Sequence, residues 1–202
     1  MVAEQLTGRG ITDERVLFAM ANVKRELFVA EAQQAKAYDD TPLSIGLEQT
    51  ISQPFMVAKM AELCVLSGGE RVLEVGGGSG YAAAILARLC DRVISIEIRP
   101  TLATLAQQAL VHAGVKNVEV MVGDGTIGWR KNAPYDAIVV SAGAPAIPAP
   151  LVAQLAPGGR LIVPVGDRLE QWLLMVRRDS EGIRVEREIA CRFVELRGEY
   201  GW

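Results

Sequence analysis

Histidine and cysteine are scarce in this chain, which has one histidine and three cysteines among its 202 residues. The single histidine, His112, excludes a histidine-rich metal site and is interpreted as a solvated residue at the end of a helix. Cys64, Cys90 and Cys191 are far apart, odd in number and flanked by aliphatic residues. This pattern favours reduced core thiols over a disulfide or metal framework. We therefore expect no bound metal ion.

Long apolar runs and a basic excess are also missing. Charged residues interrupt every apolar segment, so none reaches the about 18 residues of a membrane-spanning helix. The first ten residues, "MVAEQLTGRG", contain no apolar signal-peptide core. A net charge of −3 and a sequence pI of about 5.3 argue against a phosphate-binding surface. We expect a cytoplasmic protein that binds neither nucleic acid nor membranes.

Short apolar runs alternate with helical segments from Arg71 onward, which predicts a parallel sheet with helices on both faces. The predicted strands are 71–75, 92–98, 117–124, 135–142 and 159–166, and the helices between them are 81–89, 100–114 and 148–156. Two further runs, 171–179 and 183–196, flank "SEG" and indicate an antiparallel hairpin. The predicted fold is therefore α/β, with a Rossmann-like seven-stranded mixed sheet and a C-terminal antiparallel hairpin.

The chain before Arg71 is predicted to form an N-terminal helical extension. Residues 12–23 begin with a Thr/Asp cap and have apolar residues at helical spacing, whereas prolines and a glycine interrupt residues 38–54. We expect a single domain over 1–202, acting as a monomer. Its predicted parts are a helical part with an active-site loop (1–66, loop 38–54), a cofactor-binding core (67–166) and the hairpin (167–202).

A glycine-rich stretch, "EVGGGSGY" at 74–81, joins the first of these strands to a helix. Glycines there let a ligand approach backbone N–H groups at the carboxyl end of the sheet, and the alternative is a tight turn with nothing bound. A dinucleotide fingerprint would need a glycine where Tyr81 stands, and a phosphate-binding Walker loop would need a lysine. Neither phosphate motif is therefore present.

Carboxylates at the ends of strands narrow the choice of ligand. Glu97 ends the second strand, where it can accept hydrogen bonds from ribose hydroxyls. Asp124 ends the third strand, where it either accepts a hydrogen bond from an adenine amino group or is a solvated loop residue. Glu74 begins a loop that has no basic residue, which favours a cationic, phosphate-free tail. S-adenosylmethionine has these three parts.

Four segments, "VLEVGGGSGY", "ISIEI", "VGDG" and "APYDAIVVSAGAP", resemble the ordered motifs of class I methyltransferases. "PLSIGLEQTISQPFMVAKM" resembles the signature of protein-L-isoaspartate O-methyltransferases, and the similarity extends from 25–29 to 192–196. The resemblance implies methyl transfer from S-adenosylmethionine to the free α-carboxylate of L-isoaspartyl residues in damaged proteins and peptides, a protein-repair reaction. The alternatives are a methyltransferase acting on another peptide or small-molecule carboxylate, and a non-catalytic isoaspartyl-peptide-binding module.

Site residues follow from the motifs and the resemblance. The candidate cofactor-binding residues are Glu74, Gly76, Gly78, Ser79, Gly80, Glu97, Ile98, Asp124 and Gly125. The candidate substrate residues are Thr50, Ile51, Ser141 and Ala142. Ser52 matches the active-site serine of the family's TIS motif and is expected to orient the substrate as a hydrogen-bond donor; the alternative is a cap of the helix that Pro54 begins.

The acceptor carboxylate is ionised at neutral pH, so the reaction needs no general base. It does need hydrogen-bond donors, because burying a carboxylate without partners costs several kcal/mol. We expect backbone N–H groups of 141–144 to supply them together with Ser52. Two positions depart from the family pattern: Gly77 replaces a serine or threonine, and Glu48 replaces a glycine. Glu48 either repels the acceptor carboxylate or points to solvent.

Overall fold

The centre of the molecule is a seven-stranded mixed sheet, seen in a computed structural model that describes residues 1–202. Its strands, in chain order, are β3 (Arg71–Val75), β4 (Arg92–Glu97), β5 (Val118–Val122), β6 (Tyr135–Val140), β7 (Leu155–Gly166), β8 (Gln171–Asp179) and β9 (Gly182–Cys191). The spatial order is β5-β4-β3-β6-β7-β8-β9. The pairs from β5 to β7 are parallel, and β8 and β9 add antiparallel. The predicted sheet and hairpin are confirmed.

Helices cover both faces of this sheet because the central strands are apolar on both sides. The helices are α1 (Glu14–Asn22), α2 (Pro54–Leu63), α3 (Tyr81–Leu86), α4 (Pro100–His112) and α5 (Ala149–Ala153). Alternate strand residues enter different cores: Val72 packs in a cluster of 34 buried residues with α1, α2 and α3. Leu73 packs in a cluster of 15 buried residues that includes Leu151 of α5.

Helix starts follow local chemistry. The predicted cap of α1 is confirmed at Asp13, whose side chain accepts hydrogen bonds from the backbone N–H groups of Arg15 and Val16. In α2 the N-cap residue is Gln53, whose own side chain makes no capping bond, and the Asp40 Oδ1 accepts from the Phe55 N–H at 3.4 Å. The alternative interpretation of Ser52 as the cap is therefore wrong, since Ser52 precedes the cap by one residue.

Several helices and strands are shorter than predicted. Helix α3 ends at Leu86, and α5 is short because the backbone becomes extended at Leu155, where β7 begins. Strand β9 ends at Cys191 and does not extend to residue 196. Beyond Cys191 the chain bonds to a side chain instead of the β8 backbone, because the Gln171 Oε1 accepts from the Phe193 N–H at 2.8 Å. No helix of the structure is long and apolar enough to cross a membrane.

The N-terminal helical extension is confirmed, and this part also contains strands that were not predicted. Between α1 and α2 it contains short 3-10 helices and a two-stranded antiparallel sheet made of β1 (Leu43–Gly46) and β2 (Gln49–Ile51). The predicted loop 38–54 therefore includes a hairpin. Leu47 and Glu48 form its turn, with φ values of 51° and 60°, and Glu48 is exposed. Of the two orientations considered for Glu48, the structure shows the one towards solvent.

Candidate active site

The glycine-rich loop leaves β3 at its carboxyl end and is fixed by the neighbouring strand. The backbone N–H groups of Gly76 and Gly77 both donate to the Ile96 carbonyl, at 2.8 and 3.1 Å. Gly80 has a φ of 84°, and a Cβ there would lie 3.3 Å from Ala106 of α4. Gly80 therefore permits close packing of α3 against α4, and it is not among the residues that line the cavities described below.

Glu97 fastens the loop to the end of β4. Its Oε2 accepts from the Gly78 N–H at 2.8 Å, and its Oε1 accepts from the Arg99 N–H at 2.9 Å. Each carboxylate oxygen keeps further acceptor capacity, because an ionised carboxylate has about four lone-pair sites. The carboxylate is thus oriented by backbone N–H groups and remains able to bind ligand hydroxyls.

A cavity of about 550 Å³, here called the Glu97 cavity, opens at this point. The predicted site residues that line it are Thr50, Gly76, Gly78, Glu97, Ile98, Gly125, Ser141 and Ala142. The sequence interpretation missed its other wall, which is formed by Gln49, Arg99 and residues 194–197. The only signal for this wall was a final segment with two glycines and a tryptophan after the hairpin.

A second cavity of about 310 Å³, the Glu74 cavity, adjoins the first. Its lining includes the predicted residues Thr50, Ile51, Ser52, Glu74, Gly76, Gly78, Ser79 and Ser141. Gly77 also lines it, and a Cβ at Gly77 would lie 2.5 Å from the Ser95 Oγ. The space that a serine or threonine would need at position 77 is therefore taken by the Ser95 hydroxyl.

Glu74 is fully buried, and its two carboxylate oxygens differ. Oε2 accepts from the Ser95 hydroxyl at 2.5 Å, whereas Oε1 has no hydrogen-bond partner. Burial raises the pKa of Glu74 to about 8; the Ser95 hydrogen bond opposes this shift, and the charge of Glu97 adds to it. A cation beside Oε1 would satisfy this orphaned oxygen and favour the ionised form.

A third opening of about 780 Å³, the side groove, lies between the N-terminal part and the end of β9. Ser52 lines both the side groove and the Glu74 cavity, while Thr50 and Ser141 line all three openings. The three openings thus meet at the hydroxyl groups of Thr50 and Ser141, and the Ser52 hydroxyl lies between the Glu74 cavity and the side groove. None of these hydroxyls makes a hydrogen bond to another protein group, so all three are free to donate to a ligand.

The backbone of 141–144 differs from the prediction. The N–H groups of Ser141, Gly143 and Ala144 donate to the carbonyls of Val75, Val194 and Pro164, at 2.8, 2.8 and 2.9 Å. They are therefore not available to an acceptor carboxylate. The N–H of Ala142, which lines the Glu97 cavity, makes no such bond. The predicted donor set is reduced to this N–H and the hydroxyl groups.

Asp124 is held by hydrogen bonds on both carboxylate oxygens. Its Oδ1 accepts from the Thr126 N–H and hydroxyl, at 2.8 and 2.6 Å, and its Oδ2 accepts from the Glu199 N–H at 2.8 Å. The carboxylate therefore holds the final segment against β5 and is not a free loop residue. Gly125 lines the Glu97 cavity and Asp124 does not, so the adenine contact of Asp124 stays a prediction.

The mixed sheet and the glycine-rich loop at its carboxyl end define a Rossmann-like methyltransferase. The model of the protein-L-isoaspartate(D-aspartate) O-methyltransferase (PCMT) family matches residues 1–201. The chain belongs to this family, which confirms the resemblance seen in its motifs.

Individual relatives agree with this assignment. The chain is 53% identical to protein-L-isoaspartate O-methyltransferase of Geobacter metallireducens, over 100% of this chain and 94% of the relative. It is 54% identical to protein-L-isoaspartate O-methyltransferase 1 of Syntrophobacter fumaroxidans, with the same coverage. A solved protein-L-isoaspartate O-methyltransferase superposes with a TM-score of 0.89 at 30% identity, covering 100% of this chain and 67% of the other.

A second solved structure, from Plasmodium falciparum, superposes with a TM-score of 0.83 at 27% identity and covers 97% of this chain and 96% of the other. It is a beta-aspartate methyltransferase (PCMT) in complex with S-adenosyl-L-homocysteine.

Proposed function

We propose that this protein uses S-adenosylmethionine to methylate the free α-carboxyl group of L-isoaspartyl residues in damaged proteins and peptides. One observation carries the proposal: two adjoining cavities and the side groove meet at Thr50 and Ser141, with Ser52 on the boundary. A cofactor in the cavities and a peptide in the groove would come together at these hydroxyls. Family membership supports the same reaction.

The residues around the two cavities fit the cofactor. Glu97, held by two backbone N–H groups, offers acceptor capacity to ribose hydroxyls, and Ile98 and Gly125 offer apolar and backbone surface to adenine. Glu74 has an unpartnered buried oxygen that suits the cationic tail. When bound, S-adenosylmethionine supplies an activated methyl group. We propose Gly76, Gly78 and Ser79 as further contacts, because they line the same space.

The acceptor carboxylate would be held by hydroxyl groups. It is ionised at neutral pH, so no residue has to remove a proton before attack. Ser52, Thr50 and Ser141 can each donate one hydrogen bond without breaking a bond inside the protein. Such donors offset the cost of burying the charge and align the reacting oxygen, which is where we expect the rate enhancement to arise. Ser52 is thus proposed as an orienting donor.

The decisive experiment compares one peptide in its L-isoaspartyl and L-aspartyl forms, with a radiolabelled methyl donor and detection of base-labile esters. We expect label on the isoaspartyl form only. Equal labelling of both forms would refute the repair assignment and favour a general carboxyl methyltransferase. Tight isoaspartyl binding in calorimetry without any ester would identify a non-catalytic binding module.

We also propose that the chain acts as one domain and as a monomer in the cytoplasm. Both cores share a single sheet, and residues of one chain line all three openings. The three cysteines are free, which fits a reducing compartment. Sedimentation at working concentrations tests the monomer: a dimer would contradict it.

A further inference from the structure

The charges of the side groove are unusual for an acidic protein. Its 14 lining residues include two arginines, Arg9 and Arg192, and no aspartate or glutamate, although the whole chain has a net charge of −3. One wall comes from Arg9, Pro42 and the first turn of α2, and the other comes from residues 189–194. The groove is therefore locally positive where a peptide would lie.

The two arginines differ in whether their charge is compensated. Arg9 pairs with Asp40 through a contact of 2.6 Å between Nη1 and Oδ2, and its guanidinium stacks 3.6 Å from the centre of the Phe55 ring. Asp40 also accepts from the Gln53 side chain at 2.6 Å. Arg9 is thus a fixed part of the wall, and its charge is offset by a neighbour.

Arg192 has no such neighbour. It is exposed and forms no ion pair, whereas Arg168 and Arg197 both pair with Glu195, at 2.7 and 2.6 Å. Lys59, which lies near the same end of β9, is engaged by Glu62 and Glu188. Among these cations, Arg192 alone keeps an unbalanced charge and a full set of donors.

We propose that Arg192 is a specificity-determining residue, which favours isoaspartyl peptides that carry an additional carboxylate close to the modified residue. This proposal rests on the proposed function, because it takes the side groove as the acceptor site. The guanidinium presents two parallel N–H groups that match a carboxylate, so a nearby glutamate or aspartate side chain of the substrate can pair with it.

The test uses isoaspartyl hexapeptides that differ only by glutamate or glutamine, placed in turn at each position within three residues of the isoaspartate. Binding to the protein loaded with S-adenosylhomocysteine is measured by calorimetry, and kcat/KM is measured with S-adenosylmethionine. At one or more positions we expect the glutamate peptide to bind about fivefold more tightly, which corresponds to about 1 kcal/mol at 1.4 kcal/mol per tenfold. Raising the ionic strength should reduce this ratio.

Arg192→Gln should bring the ratio to one; because the ratio compares two peptides on the same variant, any general change in peptide affinity cancels. The matched control is Arg187→Gln, which removes the same charge from β9 at a residue that stacks on Trp172 and lies outside the groove. This control should keep the fivefold ratio. The melting temperature of Arg192→Gln should equal that of the wild type, because this side chain is exposed and makes no ion pair.

The proposal is overturned if the wild type shows no preference at any position, or if Arg192→Gln retains the preference. These outcomes are distinct from failure of the proposed function. That failure would appear as absence of ester formation with every isoaspartyl peptide, including the glutamine series, and the calorimetric ratio would still decide the role of Arg192.

Discussion

Ser52, which is proposed as an orienting donor, shows little of that role in its own contacts. Its hydroxyl makes no hydrogen bond to the protein, and its position is set by β2 on one side and by the Gln53–Asp40 hydrogen bond on the other. The TISQP motif predicted the residue through family resemblance. Chemistry alone could not distinguish an orienting hydroxyl from a helix cap, because both interpretations use a serine before a proline.

Replacing Ser52 by alanine should lower kcat at least tenfold, or about 1.4 kcal/mol in the barrier, by removing one donor to the acceptor carboxylate. The dissociation constant of S-adenosylhomocysteine should stay near the wild-type value, because Ser52 does not line the Glu97 cavity, where the nucleoside is proposed to bind. Single-turnover rates and calorimetry measure the two effects. An unchanged rate at saturating peptide would remove Ser52 from the mechanism.

Glu74 makes stability depend on pH. Its pKa is about 8 in the folded protein, against an ordinary value of 4.5, so between these pH values the folded state holds a proton that the unfolded chain releases. The stabilisation is complete below about pH 4.5 and is lost as pH rises through 8. The slope reaches at most about 1.4 kcal/mol per pH unit.

Replacing Glu74 by glutamine should abolish this slope. The free energy of unfolding is measured for the cofactor-free wild type and the variant between pH 5 and 9. The variant's value is subtracted from that of the wild type at each pH, so that the contributions of the other titrating groups cancel. Wild-type stability should fall relative to the variant as pH rises. Parallel curves for the two proteins would contradict the assignment.

Among the elements, the strands of the central sheet were predictable and the β1–β2 hairpin was not. Runs such as 71–75 and 92–98 are apolar and bounded by turn residues. This pattern predicts a strand whichever strand lies beside it in the sheet. The hairpin has short strands and lacks the Asn-Gly or Asp-Gly turn that tight hairpins favour. Its Leu47–Glu48 turn adopts positive φ through the surrounding structure, so its own sequence gives no indication of it.

Replacing Glu48 by glycine should stabilise the protein by about 0.5–1 kcal/mol, because glycine adopts positive φ without a steric cost. Part of the gain is offset by the greater freedom of glycine in the unfolded chain. Glu48→Ala is the matched control, since it removes the side chain without relieving φ. Denaturant unfolding measures both variants, and equal stability of the two would show that backbone strain is not the cause.

For the whole molecule, the parallel sheet with helices on both faces follows from the alternation of strands and helices, but the closing of the site does not. The wall formed by residues 194–197 depends on contacts far apart in the chain. The Trp202 Nε1 donates to the Gly143 carbonyl at 3.1 Å, and the Leu196 N–H donates to the same carbonyl at 2.8 Å. No local sequence pattern encodes these long-range hydrogen bonds. The sequence therefore predicts the final segment only as an extension of the hairpin.

Replacing Trp202 by alanine should weaken binding of S-adenosylhomocysteine about tenfold, or about 1.4 kcal/mol, by loosening this wall. Trp202→Phe should fall between the alanine variant and the wild type, because it keeps the packing and loses the hydrogen bond. Trp172→Ala, which removes an aromatic ring outside both cavities, is the control and should leave affinity unchanged. Calorimetry measures these affinities. Equal affinities for the Trp202→Ala variant and the wild type would contradict the role of Trp202 in holding this wall.

Strand β9 closes one side of the sheet, and its outer edge has no strand partner. Four of its ten residues are charged, namely Arg184, Glu186, Arg187 and Glu188. Charged side chains on such an edge discourage the strand addition that leads to aggregates. An enzyme whose substrates are other protein chains can therefore meet an exposed strand of a substrate without pairing with it along β9.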